Sequence, residues 1–173
     1  TPVVNIIHPG DWKYDLNPVQ GEVTNFSSLA KWNQPATPSI LMAEAIGSTK
    51  EGHQISEQEI YNNIKQIIEG AAGRVIIATF SSMVERVAWI VKIAEEAGQK
   101  VALDGYSMKI NIGLAKQLGY VKFEDNTLID VKKINDYPDN KIIVICTGAQ
   151  GEDRAVLMRI ANGEYRNIRQ KKT

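Results

Sequence analysis

A single cysteine, Cys146, stands in a chain of 173 residues, which excludes an intramolecular disulfide framework and suits a reducing cytoplasm. An excess of either charge is missing as well. Twenty Lys and Arg balance 20 Asp and Glu, so a nucleic-acid contact would have to rest on a local basic patch. No apolar run reaches membrane-spanning length and no signal-peptide pattern is present, so no membrane partner is expected. Repeats and low-complexity segments are absent. No G-x-G-x-x-G follows any strand-like run, which disfavours a free-standing dinucleotide-binding domain.

What is there, 43% hydrophobic and 23% charged residues, describes a globular chain sized for one domain or one domain with a partial neighbour. The chain starts without Met, enters a strand-like run at residues 3–7 and finishes on a basic tail at 169–173, which reads as a piece of a longer protein. Residues 16–38, with three prolines and scattered Asn and Ser, read as loop, and 39–43 as a buried strand ending at Glu44. Ser56 and Glu59 form a capping box that opens a helix with Ile60, Ile64, Ile67 and Ile68 on one face. From there strands at 75–80, 100–103 and 142–146 alternate with helices at 83–97, 107–118 and 155–161, with a ragged segment before the last strand. Such alternation predicts an α/β fold with a doubly wound, mainly parallel sheet. The unbroken β-branched run at 142–146 fits a strand buried on both faces, which makes Cys146 a core residue.

In doubly wound sheets ligands collect at the carboxyl ends of the strands. Three polar turns fall there, at 79–82, 104–107 and 147–152. Ser81 and Ser82 precede a helix, so either can serve as its N-cap, and the same hydroxyls can meet a phosphate. Arg86, one turn on, can pair with a phosphate or with an acid such as Glu85. Ser107 is expected to cap the next helix, with Tyr106 beside it as a packed or a base-stacking ring. Gly148 and Gly151 are candidates for close backbone approach by a nucleic-acid strand, while Glu152 suits the helix dipole better than proton transfer. Near the start, Asp11 follows a strand end and a Pro-Gly turn, a place for a turn cap or for a ligand.

The wording of these segments goes further. ATFSSMVERV at 78–87, KVALDGYSMKINIGLAKQLGY at 100–120, and CTGAQGE at 146–152 with RIANGEYR at 159–166 resemble, in that order, the β-CASP domain of ribonuclease J, a metallo-β-lactamase-fold nuclease family. With two weaker matches near the start, the resemblance covers most of the chain. It implies a Rossmann-like β-CASP domain over 55–173 and, over 1–54, the last piece of the first metallo-β-lactamase half. It also implies RNA as partner and cytoplasmic RNA processing by a zinc-activated hydroxide, as a 5′ exonuclease and in some members an endonuclease. For the intact enzyme it implies homodimers or RNA-degradation assemblies.

Residue by residue, the resemblance places Asp11 as the carboxylate bridging two zinc ions and Glu44 at the shared acidic catalytic position. It places Ser82 on an RNA phosphate, and Ser81, Arg86, Gly148 and Gly151 join it as phosphate candidates from their own places in the turns. Two departures stand out: Met83 where the family usually has Asn, and Ala45-Ile46-Gly47-Ser48 where hydroxyl residues and an Asn usually follow the acid. They keep open a non-catalytic RNA- or partner-binding paralogue. The family's His-x-His-x-Asp-His cluster is absent, since the two histidines, His8 and His53, belong to no such motif. A catalytic zinc takes about three protein ligands plus water. The zinc site is therefore expected to be incomplete in this chain, which alone should not cut RNA but would clamp and position it.

Overall fold

The computed structural model describes residues 3–32 and 37–168, so the basic tail at 169–173 lies outside the described residues. The chain divides into two compact units, Thr1–Ile60 and Tyr61–Thr173.

In the first unit, strand β1 (Asn5–Ile7) pairs in parallel with β2 (Ser39–Leu41), Ile7 opposite Leu41. Between them the expected loop holds one short helix, α1 (Phe26–Ala30), whose Asn25 side chain accepts from the Ser28 amide. Five residues are too few for a helical period to register in the sequence. The expectation that residues 39–43 are buried is corrected here: all of β2 is exposed, with Ile40, Leu41 and Met42 about half open to solvent. Apolar side chains mark a strand, but two strands alone provide no second layer to cover it.

Helix α2 (Glu57–Gly70) opens as the capping signal predicts, the Ser56 hydroxyl accepting from the Glu59 amide at 3.1 Å. A second cap was hidden in the sequence. Asp15, forty-odd residues upstream, accepts from the Glu57 amide at 2.6 Å and from the Asn17 amide at 2.9 Å. Of the four isoleucines, Ile68 is fully buried and Ile67 is exposed, so the apolar stripe is narrower than read.

The second unit carries the predicted parallel sheet. Its strands are β3 (Val75–Ala78), β4 (Lys100–Asp104), β5 (Leu128–Ile129) and β6 (Ile142–Cys146), in the spatial order β3-β6-β4-β5. All pairings are parallel, with Ile77 opposite Ile145 and Leu103 opposite Ile145 on the other side. Helix α3 (Val84–Glu96) joins β3 to β4, α4 (Tyr106–Gln117) leads from β4 towards β5, and α5 (Val156–Ala161) follows β6. The ragged segment thus contains a strand the sequence did not announce, followed by 3-10 turns at Val131–Asp136 and Asp139–Lys141.

Alternation sorts the sheet's side chains by parity. Ala102, Ile142, Val144 and Cys146 form one core with Val156 and Ile160 of α5, Ile134, Tyr165 and Ile168. Val101, Leu103, Ile143 and Ile145 point to the other face, where α3 and α4 pack on β4 and on each other through buried Val87, Ile90, Val91, Met108 and Ile112. Every residue of β6 is buried, as a central strand covered on both faces requires. Helices after the adjacent strands β6 and β4 therefore leave on opposite faces. The strand order reverses there, and the crevice that opens at the carboxyl ends is where such sheets hold ligands.

Candidate functional site

Three contacts draw the predicted turns into one surface. The Thr79 amide donates to the Cys146 carbonyl at 3.0 Å, joining the end of β3 to the end of β6. Gly105, after β4, lies so close to the next turn that a β-carbon on it would sit 2.9 Å from Thr147 Cγ2. Asn111 of α4 reaches across to the first turn, its amide donating to the Ser81 carbonyl at 2.8 Å.

The first turn tightens one residue further than the sequence suggests. The Met83 amide donates to the Phe80 carbonyl and the Val84 amide to the Ser82 carbonyl, so Met83, not Ser81 or Ser82, occupies the N-cap of α3. No side chain caps that end, which corrects the expectation that one of these serines does. Ser81 is half-buried, Ser82 is exposed, and Arg86 is half-buried one turn into α3. Ser82 is thus a solvent-facing hydroxyl beside a helix N-terminus, a combination suited to an anion.

The second turn departs from expectation in the same way. Gly105, with φ +123°, is the N-cap of α4, and Ser107 sits inside the first turn without capping it. Asp104 does the work at this end. Its Oδ1 accepts from the Gly105 amide at 2.9 Å and lies 3.5 Å from Lys109 Nζ, while its Oδ2 accepts from the Tyr165 hydroxyl. Tyr165 ties RIANGEYR back to the strand ends, and the Arg159 guanidinium lies over its ring at 5.6 Å. Asp104 and Tyr165 were not singled out in the sequence, although both fall inside the segments that carry the resemblance.

In the third turn the two glycines differ. Gly148 (φ +119°) is buried, and a β-carbon there would meet Leu157 Cβ at 2.8 Å and Ala155 Cβ at 3.0 Å. Its close approach is made by the chain's own α5 segment. Gly151 (φ +75°) is exposed with open space around it, and its amide donates to the Gly148 carbonyl. Glu152 accepts from the Gln150 amide at 3.3 Å, a turn-stabilising role. Cys146 is fully buried, and burial, with the Asp104 carboxylate nearby, pushes its thiol up to about 11, so it is no nucleophile.

In the first unit, the parallel pairing of β1 with β2 brings Asp11 and Glu44 to the same end. Glu44 Oε2 accepts from the amide of Trp12, the neighbour of the exposed Asp11, at 3.1 Å. His8 is spent locally, its Nδ1 accepting from the Gly10 amide at 3.1 Å. Among the described residues no three His, Cys, Asp or Glu side chains gather as a metal-holding group. Among the described residues no helix is long and apolar enough to cross a membrane.

Comparison with known proteins bears on both units. A family model described as "Ribonuclease J, beta-CASP domain" matches residues 72–173. The chain is 35% identical to Ribonuclease J of Mycoplasma pneumoniae over 173 residues, which is 100% of this chain and 30% of that protein. It is likewise 35% identical to Ribonuclease J of Mycolicibacterium smegmatis, with 94% of this chain aligned to 29% of the relative. Against Ribonuclease J of Thermus thermophilus the identity is 35%, with 93% of this chain aligned to 28% of the relative. The chain thus spans somewhat under a third of the length of these curated relatives.

Proposed function

The chain belongs to the ribonuclease J family, and on that premise we propose that it is the RNA-positioning part of a metal-dependent ribonuclease. Residues 55–173 act as the β-CASP clamp, and residues 1–54 contribute the end of a metallo-β-lactamase half. The parent enzyme hydrolyses RNA phosphodiesters from the 5′ end, with internal cuts in some contexts, using two zinc ions. One observation carries the reading: three separate strand-end turns of a family-matched sheet are fastened into a continuous carboxyl-edge surface. On that surface Ser82, Ser81 and Arg86 face an RNA phosphate, and Gly151 provides the open backbone. Gly148 shapes the turn from beneath, since its open side is filled by Leu157 and Ala155.

Asp11 offers one carboxylate to the zinc pair, and Glu44, held by the Trp12 amide, stands beside it as the shared acid. The remaining ligands come from outside this chain. The chain alone binds RNA without cutting it, in a cytoplasmic setting. The test is an amide NMR titration of the chain with a 5′-monophosphorylated oligoribonucleotide against its 5′-hydroxyl counterpart. Phosphate-dependent shifts gathered at 79–83 and 147–152 are expected. Shifts scattered elsewhere, or none at these turns, would sink the clamp reading.

A second reading is favoured by Met83. An apolar side chain occupies an uncapped helix N-terminus where the resemblance leads one to expect Asn. A non-catalytic paralogue would bind RNA equally well, yet its full-length parent, loaded with zinc, would leave labelled RNA intact.

A further inference from the structure

Tyr106 presents 82% of its surface to solvent, and no hydrogen bond or ring contact among the described residues uses its side chain. The backbone beneath it is held unusually firmly. Gly105 adopts φ +123° and abuts Thr147, its amide is held by Asp104 Oδ1 at 2.9 Å, and its carbonyl receives the Lys109 amide at 3.1 Å. Asp104 is fixed in turn by the Tyr165 hydroxyl. A ring that contributes little to the core is thus mounted on a rigid turn at the carboxyl edge of the sheet. Preorganisation of this kind lowers the ordering cost of a ligand contact.

The surroundings indicate the occupant. Lys109 lies three residues on, on the same helix face as Tyr106. Its side chain is 51% exposed, against 14% for its partner Asp104, so solvent beside the ring meets the ammonium more than the carboxylate. Further along α4, Asn111 binds the turn that carries Ser81 and Ser82. An aromatic face, an adjacent cation and a nearby phosphate-suited turn match the repeat of a single-stranded nucleic acid, in which bases alternate with phosphates.

We infer that Tyr106 is a stacking platform for an unpaired RNA base whose strand runs over the carboxyl-edge turns. The inference rests on the RNA-binding reading above and adds to it which residue takes the base. Stacking on a flat ring tolerates any base, so Tyr106 contributes affinity without sequence preference.

The test compares two ligands on the intact chain: a 5′-phosphorylated hexauridylate and an abasic hexamer with the same phosphates. Tyr106→Ala should weaken binding of the hexauridylate by about five- to 150-fold and leave the abasic ligand unchanged. Tyr106→Phe should behave as the wild type, because the ring is what matters. Equal losses for both ligands would mark a structural or purely electrostatic role and overturn the proposal. Unchanged hexauridylate binding in Tyr106→Ala would overturn it while leaving the RNA reading in place. A wild-type chain that binds neither ligand would overturn both.

Discussion

The Gly105–Thr147 contact fastens two of the three turns together, and its contribution can be measured in parts. Gly105→Ala adds two costs. The first is conformational: φ +123° is glycine territory, and forcing an L side chain into it costs about 1–3 kcal/mol. The second is steric: the new β-carbon would sit 2.9 Å from Thr147 Cγ2 and 3.3 Å from its Oγ1, and relieving such overpacking costs about 1–3 kcal/mol. Together they should destabilise the second unit by about 2–6 kcal/mol, several times an ordinary surface substitution. Thr147→Ser removes Cγ2 but keeps Oγ1, so it should recover most of the steric part in the double variant and leave the conformational part. Urea unfolding followed by Trp89 fluorescence is the assay, since Trp89 is only 6% exposed in the second unit; Trp12 and Trp32 are replaced by Phe to silence the first. With a slope of about 2 kcal/mol per molar, the midpoint should fall by roughly 1–3 M. A Gly105→Ala midpoint within about 0.3 M of the parent, or no recovery on adding Thr147→Ser, would refute the reasoning.

The other glycines should separate cleanly. Gly148→Ala, closed in by Leu157 Cβ at 2.8 Å and the Leu157 amide at 3.3 Å, should unfold at least as readily as Gly105→Ala, whereas Gly151→Ala, with open space, should lose only about 1 kcal/mol in a thermal melt. Cys146 should resist a thiol reagent at pH 8 in the native chain and react at once in urea, because burial holds it protonated. Its folded value, about 11, lies above the ordinary 9.0, so its share of stability is complete below pH 9 and disappears as pH rises through 11. That share is on the order of 3 kcal/mol, and the loss should be shallower in Cys146→Ala by titrated urea unfolding. For Asp15, burial raises the carboxyl, but the bonds from the Glu57 and Asn17 amides and Lys13 outweigh it, leaving the carboxyl below 3.8. Its support of α2 is therefore present above the ordinary value and lost as pH falls through the lowered one; Asp15→Ala should speed hydrogen exchange at the Glu57 amide at neutral pH.

The sheet of the second unit was legible because parallel strands covered by helices write themselves as short apolar runs, β-branched in β3 and β6 and Val101-Ala102-Leu103 in β4. β5 was illegible for the converse reason: two half-buried residues on an edge, set among charged and polar neighbours, carry no period at all. The N-caps of α3 and α4 were misplaced by one or two residues, both toward serine. Cap preference is a statement about side chains, whereas these ends are decided by backbone: a tight turn through Phe80 and Ser82 in one case, a glycine-only φ at Gly105 in the other.

The same distinction governs the candidate site. Its chemistry-bearing hydroxyls and glycines could be picked out singly, because turns after strands are where such residues matter. Which glycine faces outward could not, since Gly148 and Gly151 look alike in sequence and differ only in whether α5 folds back over them. Nor could the Asp104–Tyr165 tie, whose partners lie sixty-one residues apart and meet only once β4 and the segment after α5 are in place. Local pattern therefore located the surface, while long-range closure decided which of its residues face the solvent and which hold the turns together. It follows that variants of Ser82, Gly151 and Tyr106 should alter binding at little cost in stability. Variants of Asp104, Gly105 and Gly148 should do the reverse, and one panel scored for both quantities would expose any residue assigned to the wrong side.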